Sequence, residues 1–205
     1  MIGLAVPALR AQSAATPQHG GIVFVGSSIF QFWNRLGEQM APLPVLNRAL
    51  AGTVTQDWLK RVGEVAAYQP RIVVFYAGSN DISAGEDAGP IIRRTQQFVN
   101  ELRVKSPDAF FFYTSINKAP EKRDRWDVVE AVNREMQEFS RKNPNNVGYI
   151  ELNTVLFDGQ GKVRENLFLP DRLHFRAPAY EEFARIVKPI LMKAWENGAG
   201  LVKTK

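Results

Sequence analysis

The 205-residue chain has no cysteine and only two histidines, His19 and His174. Without thiols there is no disulfide, no thiolate zinc or iron–sulfur site and no cysteine nucleophile. Two histidines cannot furnish a three-histidine metal cage, so any imidazole chemistry runs through one of these two. Long hydrophobic runs are also missing. No stretch approaches the roughly 18–20 apolar residues that a transmembrane helix requires. The short apolar run Ile2 to Leu9, followed by small and polar residues, resembles the end of a bacterial signal peptide, with cleavage expected after Ala11 or near Ala15. On that reading the protein is periplasmic or secreted. The alternative is a plain N-terminal extension on a cytoplasmic protein.

Charge of one sign does not dominate either. The net charge is +5, from 26 Lys and Arg against 21 Asp and Glu, which raises the question of a nucleic acid or an acidic membrane surface. From Lys118 to Lys142, however, seven basic residues interleave with six acidic ones, the pattern of a solvated helix face. The surplus sits largely at the C-terminus, where Lys188, Lys193, Lys203 and Lys205 are countered by Glu196 alone. No nucleic-acid partner and no membrane insertion are therefore expected. The oligomeric state is left open.

What the chain does have is length and regular patterning. At 205 residues and 45% apolar composition, it is long enough for one domain that buries about 70% of its unfolded surface. The expected division is an N-terminal extension over 1–20, a folded domain over 21–197 and a tail over 198–205. Five short apolar runs, Ile22 to Val25, Pro44 to Arg48, Arg71 to Ala77, Ala109 to Ser115 and Val147 to Leu152, are bounded by Gly, Pro, Asn or Asp and read as strands. Several lack polar alternation, as strands buried on both faces of a parallel sheet do. Helical stripes fall at Ile91, Thr95, Phe98 and Leu102; at Val129, Val132, Met136 and Phe139; and from Tyr180 through Phe183 and Val187 to Ala194, with Gly198 placed as a cap. Five strands alternating with five helices predict a three-layer α/β/α sandwich around a parallel sheet. The segment Asn117 to Asp127 reads as a polar loop long enough to overhang a site.

In such sheets ligands bind outside the carboxyl ends of the strands, so the residues after each strand carry the functional question. The first strand ends in VFVGSSIFQFW, with Gly26 at the turn and Ser27 and Ser28 at a helix start. The second runs LNRALAG to Gly52, followed by Thr53 and Thr55, and the third ends YAGSNDIS, with Gly78, Asn80 and Asp81 at its turn. Each alone reads as turn and cap chemistry. Near the C-terminus, LFLPDRLHF puts Asp171 and His174 three residues apart. One short loop could then supply both a general base and the carboxylate that fixes its tautomer. His19, in a Gly-rich lead-in, competes poorly for that role.

Taken together, these four blocks resemble the SGNH hydrolases, the GDSL-type esterases and lipases, over essentially all of residues 21–195. The resemblance implies a flavodoxin-like fold, a small-molecule ester substrate, no metal and no other cofactor. It also implies site residues: Ser28 as nucleophile, His174 as base and Asp171 as its orienting carboxylate. The oxyanion would be bound by the backbone of Ser28 and Gly52 and by Asn80. Apart from the resemblance, Asp81 reads as support for the turn that aims Asn80 and Trp33 as packing under the first helix, the usual places of a polar turn residue and a large aromatic. Ser27 stands where the family carries an acidic residue, and Ala49 and Ala51 where it often has glycine. Ser27 itself is the second choice of nucleophile. The function expected is hydrolysis of short-acyl esters through an acyl-enzyme, with acetylated carbohydrate as a candidate substrate. The alternatives are acyl transfer from the same intermediate and a non-catalytic carbohydrate-binding module. A flavin or nucleotide binder of similar fold lacks its glycine-rich or Walker loop here.

Overall fold

Strands that alternate in burial face water on one side, and none of the five here alternates. In IVFVG and IVVFY every residue is buried, as required of strands covered on both faces. A computed structural model describes residues 20–198. The leader-like run Ile2 to Leu9, His19, and the tail residues Lys203 and Lys205 lie outside the described residues. The strands are β1 (Ile22–Gly26), β2 (Val45–Asn47), β3 (Ile72–Tyr76), β4 (Phe110–Thr114) and β5 (Val147–Ile150). All neighbours pair in parallel, in the order β2-β1-β3-β4-β5. That is the flavodoxin-like order, whose topological switch point lies between β1 and β3.

Odd and even strand residues point to opposite faces, and two separate apolar layers result. Ile22, Phe24, Ile72, Val74 and Tyr76 pack beneath α2 (Leu36–Met40) and α8 (Ala177–Glu196). Val23, Val25, Val73 and Phe75 pack beneath α3 (Thr55–Lys60), α4 (Val62–Ala66), α6 (Ala88–Lys105) and α7 (Trp126–Lys142). The expected α/β/α sandwich is the observed one. The helical stripes lie within α6, α7 and α8, and Gly198 follows α8 with φ +64°, the left-handed conformation of a C-terminal cap.

Helix number differs from the expected five, because eight α-helices occur among the described residues. The extra ones are short: α1 (Ser28–Gln31) precedes α2, Arg61 kinks the chain between α3 and α4, and α5 (Ser79–Ser83) precedes α6. Segments of four to six residues are too short to display a 3.6-residue period. The expected loop Asn117 to Asp127 is also corrected. Pro120–Arg125 forms a 3-10 helix running directly into α7. Nor is the whole Lys118 to Lys142 stretch a solvated face: Lys122 is buried, with its ammonium donating to Glu121 at 2.7 Å. No described helix is long and apolar enough to cross a membrane.

Candidate active site

Three loops leave the carboxyl ends of β1, β2 and β3 side by side, and close backbone approach makes the first of them possible. At Gly26, φ is +145° and a Cβ would sit 2.0 Å from the Tyr76 carbonyl oxygen, so only glycine fits. The next residue donates its N–H to that same carbonyl at 3.1 Å, which fixes where Ser28 begins α1. The Ser28 N–H lies in the first turn and has no intrahelical acceptor.

The loop between Phe168 and α8 brings the other chemistry to this point. Leu169 N–H donates to the His174 carbonyl at 2.8 Å, and a Phe168–Phe175 bridge closes the loop. Inside it Arg172 takes a left-handed φ of +58°, uncommon for a residue with a side chain. Its carbonyl accepts the Glu121 N–H at 3.2 Å and its guanidinium pairs with Glu165 at 2.8 Å. The 3-10 segment is thus attached to the Asp171 to His174 turn.

His174 Nε2 lies 2.8 Å from Ser28 Oγ, and its Nδ1 lies 2.7 Å from Asp171 Oδ2. An ionised carboxylate only accepts, so Nδ1 carries the proton and Nε2 is left to accept from the Ser28 hydroxyl. The other carboxylate oxygen accepts the N–H groups of Leu173 and His174 at 3.0 Å each. Partial burial pushes the Asp171 pKa up, but the His174 side chain and those two N–H groups outweigh it and bring it to about 2. The carboxylate is therefore ionised across the neutral range. Ser27, although adjacent, does not share the imidazole contact.

Of the remaining expected residues, Gly52 lies in the loop after β2 and Asn80 in α5, after β3. Gly52 has φ +78°, a conformation that glycine adopts without strain. Its loop is anchored in several places: Leu50 N–H donates to the Gly26 carbonyl at 2.8 Å, Ala49 N–H to Asn47 Oδ1 at 3.1 Å, and Ala51 N–H to Gln31 Oε1. Ala49 and Ala51 are accommodated within this path. Asn80 Nδ2 donates to the Thr53 carbonyl at 2.9 Å, leaving its second amide hydrogen available. The turn before it needs glycine too, since at Gly78 φ is +112° and a Cβ would meet Ile116 Cδ1 at 2.6 Å.

Asp81 faces away from this chemistry. Its buried carboxylate accepts from the Thr55 N–H at 3.1 Å, from the Thr55 hydroxyl and from Arg94 Nη2 at 2.9 Å. Arg94 also donates to the Thr55 hydroxyl at 2.7 Å and forms an ion pair with Glu86. This cluster ties the start of α3, just after Gly52, to α5, which holds Asn80. Thr55 reads in the sequence as an ordinary cap, and Arg94 gives no local signal because it lies 39 residues away. Trp33 is buried among Phe24, Phe30 and Phe183. Among the described residues, no three His, Asp or Glu side chains gather as they would for a metal ion.

A hydroxyl hydrogen-bonded to an imidazole that is itself bonded to a carboxylate can be deprotonated to attack a carbonyl carbon. The profile of the GDSL-like Lipase/Acylhydrolase family matches residues 24–182. A GDSL-like lipase from Bacteroides thetaiotaomicron superposes with a TM-score of 0.73 at 18% identity, covering 90% of this chain and 92% of its own. A carbohydrate esterase family 3 protein from Talaromyces cellulolyticus superposes with a TM-score of 0.71 at 18% identity, covering 87% and 99%. An acetyl esterase variant solved with an acetate ion gives 0.69 at 15% identity, covering 87% and 99%. No curated protein sequence matches the chain. With the profile covering most of its length, the chain belongs to the GDSL-like lipase/acylhydrolase family of ester hydrolases.

Proposed function

We propose that the protein hydrolyses short-acyl carboxylic esters, acetyl esters of carbohydrates among them, through an acyl-enzyme on Ser28. The observation that carries this reading is the unbroken chain from Ser28 Oγ through His174 to Asp171, at 2.8 and 2.7 Å. As Ser28 Oγ attacks the ester carbonyl, its proton passes to His174 Nε2, and Asp171 stabilises the resulting imidazolium. The negative charge that develops on the carbonyl oxygen is met by the N–H groups of Ser28 and Gly52 and by the free amide hydrogen of Asn80. Collapse breaks the bond to the alcohol oxygen, which takes the proton from Nε2. Water activated by the same imidazole then releases the acid and restores Ser28.

Two features support the short-acyl part. The site is open at the surface, with the Asp171 side chain 48% exposed, and the fold resembles an acetyl esterase and a carbohydrate esterase. A series of p-nitrophenyl esters from acetyl to dodecanoyl tests it. The expected result is the highest kcat/KM with acetyl, a decline along the series, and no turnover above background in Ser28→Ala. A maximum at long chains would overturn the short-acyl reading. Wild-type rates equal to those of Ser28→Ala on every ester would overturn the enzyme itself.

A further inference from the structure

Two of the few large apolar side chains left exposed among the described residues, Phe32 and Leu50, flank the loops around Ser28. Phe32 is 43% exposed, and its ring lies 5.2 Å from the His174 ring, centroid to centroid. Its aromatic neighbours in sequence, Phe30 and Trp33, are both buried, so core packing does not account for it. Behind Phe32 opens a cleft of about 210 Å³ that runs past Asn34 and Arg35 to Tyr180 and Glu181.

The side of the site on which this cleft lies follows from the chemistry. When the ester C–O bond breaks, the alcohol oxygen must receive a proton from His174 Nε2, so the alcohol part lies alongside the imidazole. Gly52 and Asn80 come from the other loops and serve the carbonyl oxygen. Phe32 is the aromatic surface against the imidazole.

We infer that the cleft beside Phe32 is the subsite for the alcohol part of the ester, and that its occupant is a single sugar ring. The inference rests on the serine-hydrolase reading above and adds the identity of the alcohol. The volume is below the roughly 300–1,000 Å³ of sites for drug-sized ligands, which suits one ring. A pyranose offers an apolar C–H face for Phe32 and a rim of hydroxyls for the polar wall. Arg35 holds Glu38 through Nη2 at 2.7 Å and Nε at 2.9 Å and meets Glu181 only at 3.4 Å, so the Glu181 carboxylate, on a side chain 48% exposed, is the group of that wall left to accept from a hydroxyl. A long alkyl chain would cover these charged groups without hydrogen-bonding them, at a desolvation cost.

The test compares kcat/KM on two acetyl esters, a mono-O-acetyl methyl pyranoside and methyl acetate, which share the acyl group and differ in the alcohol. In Phe32→Ala and in Glu181→Ala the ratio of sugar ester to methyl acetate is expected to fall about tenfold or more, the effect of one lost contact. Phe32→Tyr keeps the aromatic face and should keep the ratio. The deacetylated glycoside should inhibit wild-type hydrolysis of methyl acetate competitively, and inhibit Phe32→Ala less. A ratio unchanged in both alanine variants, with both esters still hydrolysed, would overturn the subsite and leave the hydrolase intact. Failure of the wild type to hydrolyse either ester would overturn both.

Discussion

The Ser28 hydroxyl is an ordinary alcohol until a neutral imidazole nitrogen stands 2.8 Å away, and the backbone decides that this nitrogen is the deprotonated one. Asp171 accepts from two main-chain N–H groups as well as from His174, so its carboxylate is both charged and immobile. Two consequences are measurable at this scale. Removing one oxyanion donor typically costs about 10²–10³ in turnover, so Asn80→Ala should lower kcat by that factor in steady-state ester hydrolysis while KM changes little. The second consequence concerns acid. The folded Asp171 pKa is depressed from 3.8 to about 2, so its contribution to stability is complete above about pH 4 and is lost as pH falls toward 2. The Tm difference between wild type and Asp171→Asn, followed by thermal denaturation, should therefore narrow across that interval. Asp171 and His174 were legible as a pair because a spacing of three residues puts both in one turn. The left-handed Arg172 between them and the Thr53 carbonyl that holds Asn80 were not, since neither depends on a side chain that the sequence marks as unusual.

At the scale of elements, the loops that carry Gly52 and Asn80 hold their relation through a buried charge. Arg94, on α6, reaches the carboxylate of Asp81 in α5 and the Thr55 hydroxyl at the start of α3. Breaking a buried pair by removing one partner leaves the other charge without compensation and costs about 3–5 kcal/mol. Arg94→Ala is expected to lose stability of that order in urea denaturation and to lower kcat, though it touches no reacting atom. The strands were readable in the sequence because burial on both faces leaves uninterrupted Val, Ile and Phe. The long helices α6, α7 and α8 were readable from their stripes. The short helices were not, and the 3-10 segment Pro120–Arg125 was hidden among charges that suggested an exposed loop. Its partner in space, the Arg172 carbonyl, lies some fifty residues further along the chain. No local pattern announces such a contact.

Over the whole molecule, the parallel sheet separates two apolar layers and gathers the loops after β1, β2 and β3 at its switch point. The layer beneath α6 and α7 centres on Phe75, which is fully buried against Phe98, Phe111 and Trp58. Truncating a core phenylalanine costs about 3–5 kcal/mol, so Phe75→Ala should lower the urea midpoint markedly. Against this scaffold the net charge of +5 has no visible part in the chemistry. The scarcity of histidine matters far more, because among the described residues it is His174 that stands beside the serine. The role of Ser28 as nucleophile is tested most directly by labelling the protein with a fluorophosphonate and locating the adduct by peptide mass spectrometry. The expected result is one adduct, on Ser28, absent in Ser28→Ala and strongly reduced in His174→Ala. An adduct on Ser27 or elsewhere, or no adduct on the folded wild-type protein, would contradict it.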